Sequence, residues 1–228
     1  MQRITLAESA GFCFGVNRAV KLLEELVKKN QNVFTLGPII HNPQVIKHFE
    51  NKGVRIIDSP DECKEGDLIV VRTHGIPKDM MEKVKSISPN YCNATCPFVT
   101  KIHKIVSENS LKENVTLIAG DKSHPEVIGI RSYCNGRSFV FNSEKELDKI
   151  IENHPDLSKN GLILVSQTTF STKIFEKCVK KIKMVYTNAV IFDTICCVTE
   201  ERQLETEKLA CDCDVMLVVG DVESANSR

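Results

Sequence analysis

The chain has 228 residues, of which 42% are hydrophobic, so it can bury a substantial core in one large domain or in two to three small ones. Its 30 basic and 30 acidic side chains cancel without forming a basic stripe, which argues against a nucleic-acid partner. No apolar run is long enough to cross a bilayer and no secretory signal pattern is present, so we expect a cytoplasmic protein without a membrane partner. Its ten cysteines then indicate metal ligands, redox groups or packing rather than disulfides.

Five short apolar runs recur along the chain, and each leads into a polar turn, here called an elbow. The runs begin at residues 32, 67, 115, 161 and 214, and they read "NVFTLGPIIHNPQVIKHF", "DLIVVRTHGIPKDMMEKV", "VTLIAGDKSHPEVIGI", "GLILVSQTTFSTKIFEKC" and "DVMLVVGDVESANSR". Continuous Val/Ile/Leu strands that alternate with helical patterns predict buried, mainly parallel sheets in an α/β fold. Ligands of such folds bind just beyond the carboxyl ends of the strands.

The elbows carry polar side chains that are the first candidates for a binding site. They are His41, His74, His124, Ser166, Thr168, Ser224 and Asn226. A single histidine in such a place is more often a structural or capping residue. Three histidines at equivalent positions weaken that interpretation and favour a shared ligand.

A second recurrence places one cysteine directly before each of three helical patterns: Cys13 in "GFCFGV", Cys96 in "NATCPFV" and Cys196 in "FDTICC". Because a helix N-terminus favours the thiolate, three such groups converging from three lobes would hold a metal and leave one coordination position free. Zinc is possible, although C-x2-C pairs are absent, and an iron–sulfur cubane with one open iron is favoured. The other seven cysteines, which include Cys197, are interpreted as structural or incidental thiols.

The spacing of these cysteines predicts three similar α/β units, with boundaries 14–96, 97–193 and 194–228, the last completed by 1–13. The segment "RITLAES" (3–9) is expected to pair with "DVMLVVG" (214–220) in the third sheet. That unit has one strand and elbow where the others have two. The chain is therefore expected to be C-terminally truncated, with an exposed apolar edge, a labile cluster and poor turnover.

Seven motifs, in order and at compatible separations, make the chain resemble the 4-hydroxy-3-methylbut-2-enyl diphosphate reductase family of the non-mevalonate isoprenoid route. They are "GFCFGV", "GPIIHNPQV", "RTHGIP", "NATCPFV", "SHPEVIG", "SQTTFS" and "FDTIC". The resemblance covers essentially the whole chain and implies a 4Fe-4S cluster on Cys13, Cys96 and Cys196, at the centre of three α/β domains. It implies that the substrate's allylic hydroxyl leaves as water, giving isopentenyl and dimethylallyl diphosphate. An electron donor such as ferredoxin or flavodoxin is expected.

The resemblance also implies roles for the elbow residues. Glu126 matches the family's proton donor and Thr168 the threonine that completes the proton relay. The expected diphosphate contacts are His41, His74, His124, Thr168 and the elbow Ser224, Ala225 and Asn226. The family usually has two successive serines before that asparagine, so alanine at 225 removes one hydroxyl donor and weakens binding.

Other readings of these residues remain open on sequence grounds. Glu126 could be a solvated carboxylate at a helix start, Thr168 a cap for a helix near Phe170, and Cys197 a buried small hydrophobe. An inactive or regulatory cluster-binding protein built on such a reductase is an alternative function. A cysteine hydrolase with Cys96 as nucleophile would leave the three equivalent cysteines unexplained.

Overall fold

The computed structural model describes residues 4–29, 32–111, 113–159, 161–221 and 224–227. Two parallel four-stranded sheets with helices form the described fold, which confirms the expected α/β class. The first sheet has strand order β2-β1-β3-β4 and the second has the same pattern, β6-β5-β7-β8. The strands are β1 Val33–Leu36, β2 Arg55–Ile57, β3 Leu68–Val71, β4 Cys92–Asn93, β5 Val115–Ala119, β6 Arg137–Phe141, β7 Leu162–Ser166 and β8 Ala189–Ile191.

The helices flank these sheets and begin at the capping residues that the sequence supplies. They are α1 Phe14–Lys29, α2 Pro43–Glu50, α3 Lys78–Ile87, α4 Pro97–Asn109, α5 Pro125–Ser132, α6 Glu144–Asn153, α7 Thr172–Val185 and α8 Cys197–Asp212. Ser143 and Ser171 accept backbone N–H groups at the starts of α6 and α7, and Asn42 does so at α2. Among the described helices, none is both long and apolar enough to cross a bilayer.

The central strands are buried on both faces, as continuous apolar runs predict. In the second sheet, Leu117 and Leu164 pack into one apolar cluster while Ile118 and Val165 pack into the cluster on the opposite face. The runs expected from residues 32, 67, 115 and 161 are confirmed as β1, β3, β5 and β7. The edge strands β2 and β6 were not predicted, because their exposed and half-buried residues interrupt the apolar pattern.

The strands expected in the third unit are wrong for the described residues: neither 4–13 nor 213–221 contains a strand. A strand requires a ladder partner, and no described strand lies alongside either segment. The side chain of Glu205 on α8 instead accepts the backbone N–H groups of Glu8 and Ser9, so the N-terminal segment is held by a helix. Arg3, the first residue of "RITLAES", lies outside the described residues, and the unit boundaries remain a prediction.

Candidate functional site

The elbows after β1, β3 and β5 bring three imidazole rings together. The ring centroids of His41 and His74 are 4.7 Å apart, those of His74 and His124 are 5.3 Å apart, and those of His41 and His124 are 6.2 Å apart. One ring nitrogen from each histidine lies within 4.8 Å of the other two. Strand ends from both sheets therefore meet at this histidine trio.

Arg72 holds the elbows of the first sheet in place, a role that the sequence did not reveal. Its Nε donates to the carbonyl oxygen of Gly75 at 3.3 Å, directly after His74. Its guanidinium also fills the space where a side chain at Gly37 would lie, and Gly37 has a φ of 71°. One arginine thus contacts both the elbow that contains His41 and the elbow that contains His74.

His74 is half-buried, its Nδ1 is enclosed by protein, and its ring is neutral in the free protein. Desolvation holds the pKa of His74 well below its usual range, and the nearby His124, His41 and Arg72 lower it further. A neutral imidazole can donate one hydrogen bond and gains a proton when an anion is placed beside it.

The tautomer of His124 is set by its position as the N-cap of α5. Its Nδ1 accepts the backbone N–H of Glu126 at 3.1 Å, so the proton of the neutral ring is on Nε2. That nitrogen is therefore a hydrogen-bond donor rather than a metal ligand. The geometry of this ring favours an anion over a cation at the histidine trio.

Glu126 is a buried carboxyl group beside the histidine trio. It is 2% exposed, and burial raises the pKa of its carboxyl to about 7 although two hydrogen bonds from Thr168 oppose the shift. The Thr168 backbone N–H donates to Oε1 at 2.6 Å and the Thr168 hydroxyl donates to Oε2 at 2.8 Å. The reading of Glu126 as a solvated carboxylate is wrong. Thr168 is not a helix cap, since α7 is capped by Ser171.

The three elbow cysteines each precede a helix. Cys96 and Cys196 are the N-caps of α4 and α8, and the carbonyl of Cys13 accepts the N–H of Asn17 in the first turn of α1. The Cys96 N–H donates to the carbonyl of Thr73 and the Cys196 N–H to that of Thr168, both at 2.9 Å. Cys96 is thereby fixed to the elbow that carries His74, and Cys196 to the elbow that carries Thr168, the partner of Glu126.

The half-buried thiols of Cys96 and Cys196 have related electrostatic environments. Burial raises the pKa of both, while backbone amides in the first turns of their helices oppose the shift. Cys13 and Glu126 add to the increase at Cys96, and Cys96 adds to the increase at Cys196. Cys96 is thus electrostatically linked to Cys13, Glu126 and Cys196, and the neighbouring Cys197 also raises the pKa of Cys196.

Helix α1 approaches two of the three elbow sulfurs with bare backbone. A Cβ at Gly15 would lie 2.7 Å from Cys96 Sγ and 3.9 Å from Cys13 Sγ. Three thiols are a donor set that suits an iron–sulfur cubane in which each thiolate binds one iron and the fourth iron is left open.

The remaining predicted residues are exposed or have only local contacts described. Cys197 is exposed at the first residue of α8, so its interpretation as a buried hydrophobe is wrong. Ser224 precedes a short 3-10 turn that contains Ala225 and Asn226, and its backbone N–H donates to Asp221. The described hydrogen bonds of this turn are local, and a diphosphate role for these three residues stays a prediction.

The elbows of two parallel β-sheets carry thiols, imidazoles and a buried acid, a combination that defines an enzyme site. The names of the relatives assign its class, which is oxidoreductase. Residues 4–228 match the LytB protein family model, and the chain belongs to this family.

Relatives with established names cover nearly the whole chain. Proteins named 4-hydroxy-3-methylbut-2-enyl diphosphate reductase share 37% identity in Alkaliphilus oremlandii and 42% in Caldanaerobacter subterraneus, each over 99% of this chain and over 79% and 77% of the relative. The Aquifex aeolicus relative is 38% identical over 100% of this chain and 78% of its own length.

Solved structures agree with these sequence comparisons. A structure described as (E)-4-hydroxy-3-methyl-but-2-enyl diphosphate reductase, the terminal enzyme of the non-mevalonate pathway, has a TM-score of 0.75 at 38% identity and covers 98% of this chain and 79% of its own. The reductase from Plasmodium falciparum has a TM-score of 0.83 at 30% identity and covers 95% of this chain and 68% of its own.

Proposed function

We propose that this chain catalyses the reductive dehydroxylation of 4-hydroxy-3-methylbut-2-enyl diphosphate. Two electrons and two protons convert the allylic alcohol into isopentenyl or dimethylallyl diphosphate and one water. The names of the relatives support the reaction, and the site supports the residue roles. The electrons would come from a small carrier such as ferredoxin or flavodoxin.

The observation that carries the proposal is the position of Glu126. Its buried carboxyl accepts a hydrogen bond from the Thr168 hydroxyl and raises the pKa of Cys96. Glu126 is also two residues after His124, whose ring accepts its backbone N–H. A reductive dehydroxylation requires an acid at this place, between the anion-binding imidazoles and the electron source. An acid with a pKa near neutrality suits proton delivery to a leaving hydroxyl.

The diphosphate would bind at the histidine trio, with Ser224 and Asn226 as further proposed contacts. The Nε2–H of His124 can donate to a phosphate oxygen, and His74 can accept a proton once the anion is bound. The trio thereby orients the substrate so that its hydroxyl end lies toward the thiols.

The thiols of Cys13, Cys96 and Cys196 would hold the proposed 4Fe-4S cluster. When bound, the cluster supplies the electrons and one iron that is open to the substrate. Glu126 delivers the protons. Its protonated carboxyl can donate to the Thr168 hydroxyl, which can pass a proton onward because a hydroxyl both accepts and donates. Burial of the pair excludes bulk water from this path.

Anaerobic purification followed by iron and sulfide analysis and a turnover assay tests the proposal. A cluster with turnover of the diphosphate substrate is the expected result. A cluster without turnover would favour the inactive or regulatory alternative. A protein that assembles no cluster under conditions that load a related reductase would overturn the proposal.

A further inference from the structure

His103 lies where three elements of the site meet: α4, which begins after Cys96, the elbow that carries His74, and α5, which contains Glu126. It is not one of the elbow histidines. It is on α4, seven residues after the N-cap Cys96 and therefore two turns along the same helix. Its side chain is buried, with the residue 8% exposed. The sequence patterns gave no reason to single it out.

The edge of the His103 ring fits between two glycines. A Cβ at Gly75, the residue after His74, would lie 2.8 Å from Cε1 of the ring. A Cβ at Gly129 on α5 would lie 3.2 Å from Nε2. Both contacts are closer than a side chain normally allows, so the ring occupies the space that these two glycines leave open.

The face of the same ring stacks on α5. The centroids of His103 and Tyr133 are 4.3 Å apart, with an angle of 16° between the ring planes. Gly129 and Tyr133 are four residues apart and so lie on one side of the helical turn. α5 begins at the N-cap His124 and contains Glu126, and one ring thus sets how this helix lies against the His74 elbow.

The buried nitrogen of His103 indicates a role in shape rather than in proton transfer. Its Nε2 has no hydrogen-bond partner among the residues that the structure describes, and burial lowers the pKa of the ring to about 4, so the ring is neutral at physiological pH. The flat ring instead fits the gap between Gly75 and Gly129.

We propose that His103 is a positioning residue, which sets the separation between the diphosphate-binding imidazole of His74 and the acid Glu126 by spacing the Gly75 elbow from α5. The inference rests on the proposed function, which gives His74 its diphosphate-binding role and Glu126 its role as the acid. It goes beyond that function by assigning a role to a residue that touches neither substrate nor cluster.

The test compares three variants of the cluster-loaded chain: His103→Ala, Gly129→Ala and the double variant. His103→Ala should lower kcat by roughly tenfold to a hundredfold, because small displacements of reacting groups carry penalties of that size. It should also weaken the binding of inorganic pyrophosphate severalfold. Gly129→Ala should lower kcat because its methyl group displaces the ring. In the double variant the methyl has room, so the two losses should not add.

Val106→Ala is the matched control, since Val106 is fully buried on the same helix and packs in the core of the second sheet. It should lower the Tm without changing kcat or KM. If His103→Ala also keeps kcat/KM within twofold of the parent, or if the two losses simply add, the positioning role is overturned. Absence of turnover in the parent chain would count against the proposed function instead, and an unchanged pyrophosphate Kd in His103→Ala would then overturn the role of His103.

Discussion

Burial controls the chemistry of Glu126. With its pKa at about 7, the carboxyl is protonated in a large fraction of molecules at neutral pH, whereas an exposed glutamate would be ionised. Thr168 donates two hydrogen bonds to the ionised carboxylate. When the carboxyl is protonated, the backbone N–H can still donate while the Thr168 hydroxyl accepts, so the group keeps one orientation. An acid held in this way can deliver a proton repeatedly at a fixed place.

Glu126→Gln should retain substrate binding and lose turnover. The glutamine carbonyl can still accept the Thr168 N–H, but the amide cannot deliver a proton, so kcat should fall by about 10²-fold or more. Steady-state kinetics and pyrophosphate binding measure the two effects separately. The exposed Glu108→Gln is the control and should change neither. Near-normal turnover of Glu126→Gln would return Glu126 to a structural role.

The same substitution should change how stability depends on pH. The folded pKa of about 7 lies above the unfolded value, so the stability contributed by the neutral carboxyl is present below pH 4.5 and is lost as the pH rises through 7. Relative to Glu126→Gln, the parent apoprotein should lose about 3 kcal/mol at most in its free energy of unfolding between pH 5 and pH 8. Anaerobic urea titrations at both pH values measure it. A stability difference that is constant with pH would show that this carboxyl is not buried as described.

The half-buried imidazole of His74 should couple anion binding to proton uptake. The ring is neutral in the free protein and would gain a proton beside a diphosphate, so affinity for pyrophosphate should rise as the pH falls from 8 to 6. The rise should be at most about tenfold per pH unit for each proton taken up. Calorimetry in two buffers of different ionisation enthalpy counts these protons. His74→Asn should take up fewer protons than the parent, and equal uptake in both would contradict the assignment.

At the scale of elements, helix starts organise the candidate cluster centre. α4 and α8 present Cys96 and Cys196 at their N-caps, and α1 approaches with Gly15 in direct reach of two sulfurs. Amides in the first turns favour thiolates while burial opposes them. A bound iron would provide the positive charge that resolves this conflict, because metal ligation deprotonates a thiol.

Serine at position 13, 96 or 196 should abolish a stable cluster, whereas Cys197→Ser should leave it intact. Cys197 is exposed on the first turn of α8 and is not at an N-cap. Iron content and the brown absorbance of the anaerobically purified protein are the measurements. Loss of the absorbance in Cys197→Ser alone would overturn the ligand assignment.

Gly15→Ala should also impair cluster assembly, although alanine is the better helix former. The added methyl would lie 2.7 Å from Cys96 Sγ and would displace the sulfur. We expect a lower iron content together with an unchanged or higher Tm of the apoprotein. The neighbouring Val16→Ala, which changes the same helix turn without adding atoms, is the control. Full iron loading of Gly15→Ala would show that cluster assembly does not require the close approach of the α1 backbone to the sulfurs.

At the scale of the whole molecule, two sheets with the same pattern of strand order meet at the histidine trio, and an apolar segment lies outside both cores. Residues 215–219 include Leu217 at 86% and Val219 at 96% exposure. A contiguous apolar surface of this kind promotes association, whereas isolated apolar residues do not.

Replacing both Leu217 and Val219 by Asp should reduce self-association of the chain without lowering the cluster content. Removal of apolar surface and addition of charge both act against aggregation. Light scattering as a function of protein concentration is the measurement. Met184→Asp is the control, because Met184 is 87% exposed but lies outside the apolar segment. An equal benefit from Met184→Asp would mean that net charge, and not the segment, determines association.

Local patterns were sufficient to predict much of this molecule. Continuous apolar runs identified the four central strands, and the residues at their ends identified the elbows that contain the histidine trio and Thr168. Cysteines placed before helical patterns identified three helix starts. These predictions succeeded because strand burial and helix capping depend on a few neighbouring residues.

Other features depend on residues that are distant in sequence, and only the tertiary structure decided them. Glu126 is hydrogen-bonded to Thr168, which is 42 residues away. The sequence therefore could not show whether Glu126 is a buried acid or a solvated carboxylate. The roles of His103 and Arg72 depend on their contacts with glycines of other elements, which the sequence does not show. The segment 214–219 has the composition of a strand but no ladder partner among the described residues. Apolar composition can favour an extended strand, but backbone pairing with a second chain segment is what forms a sheet.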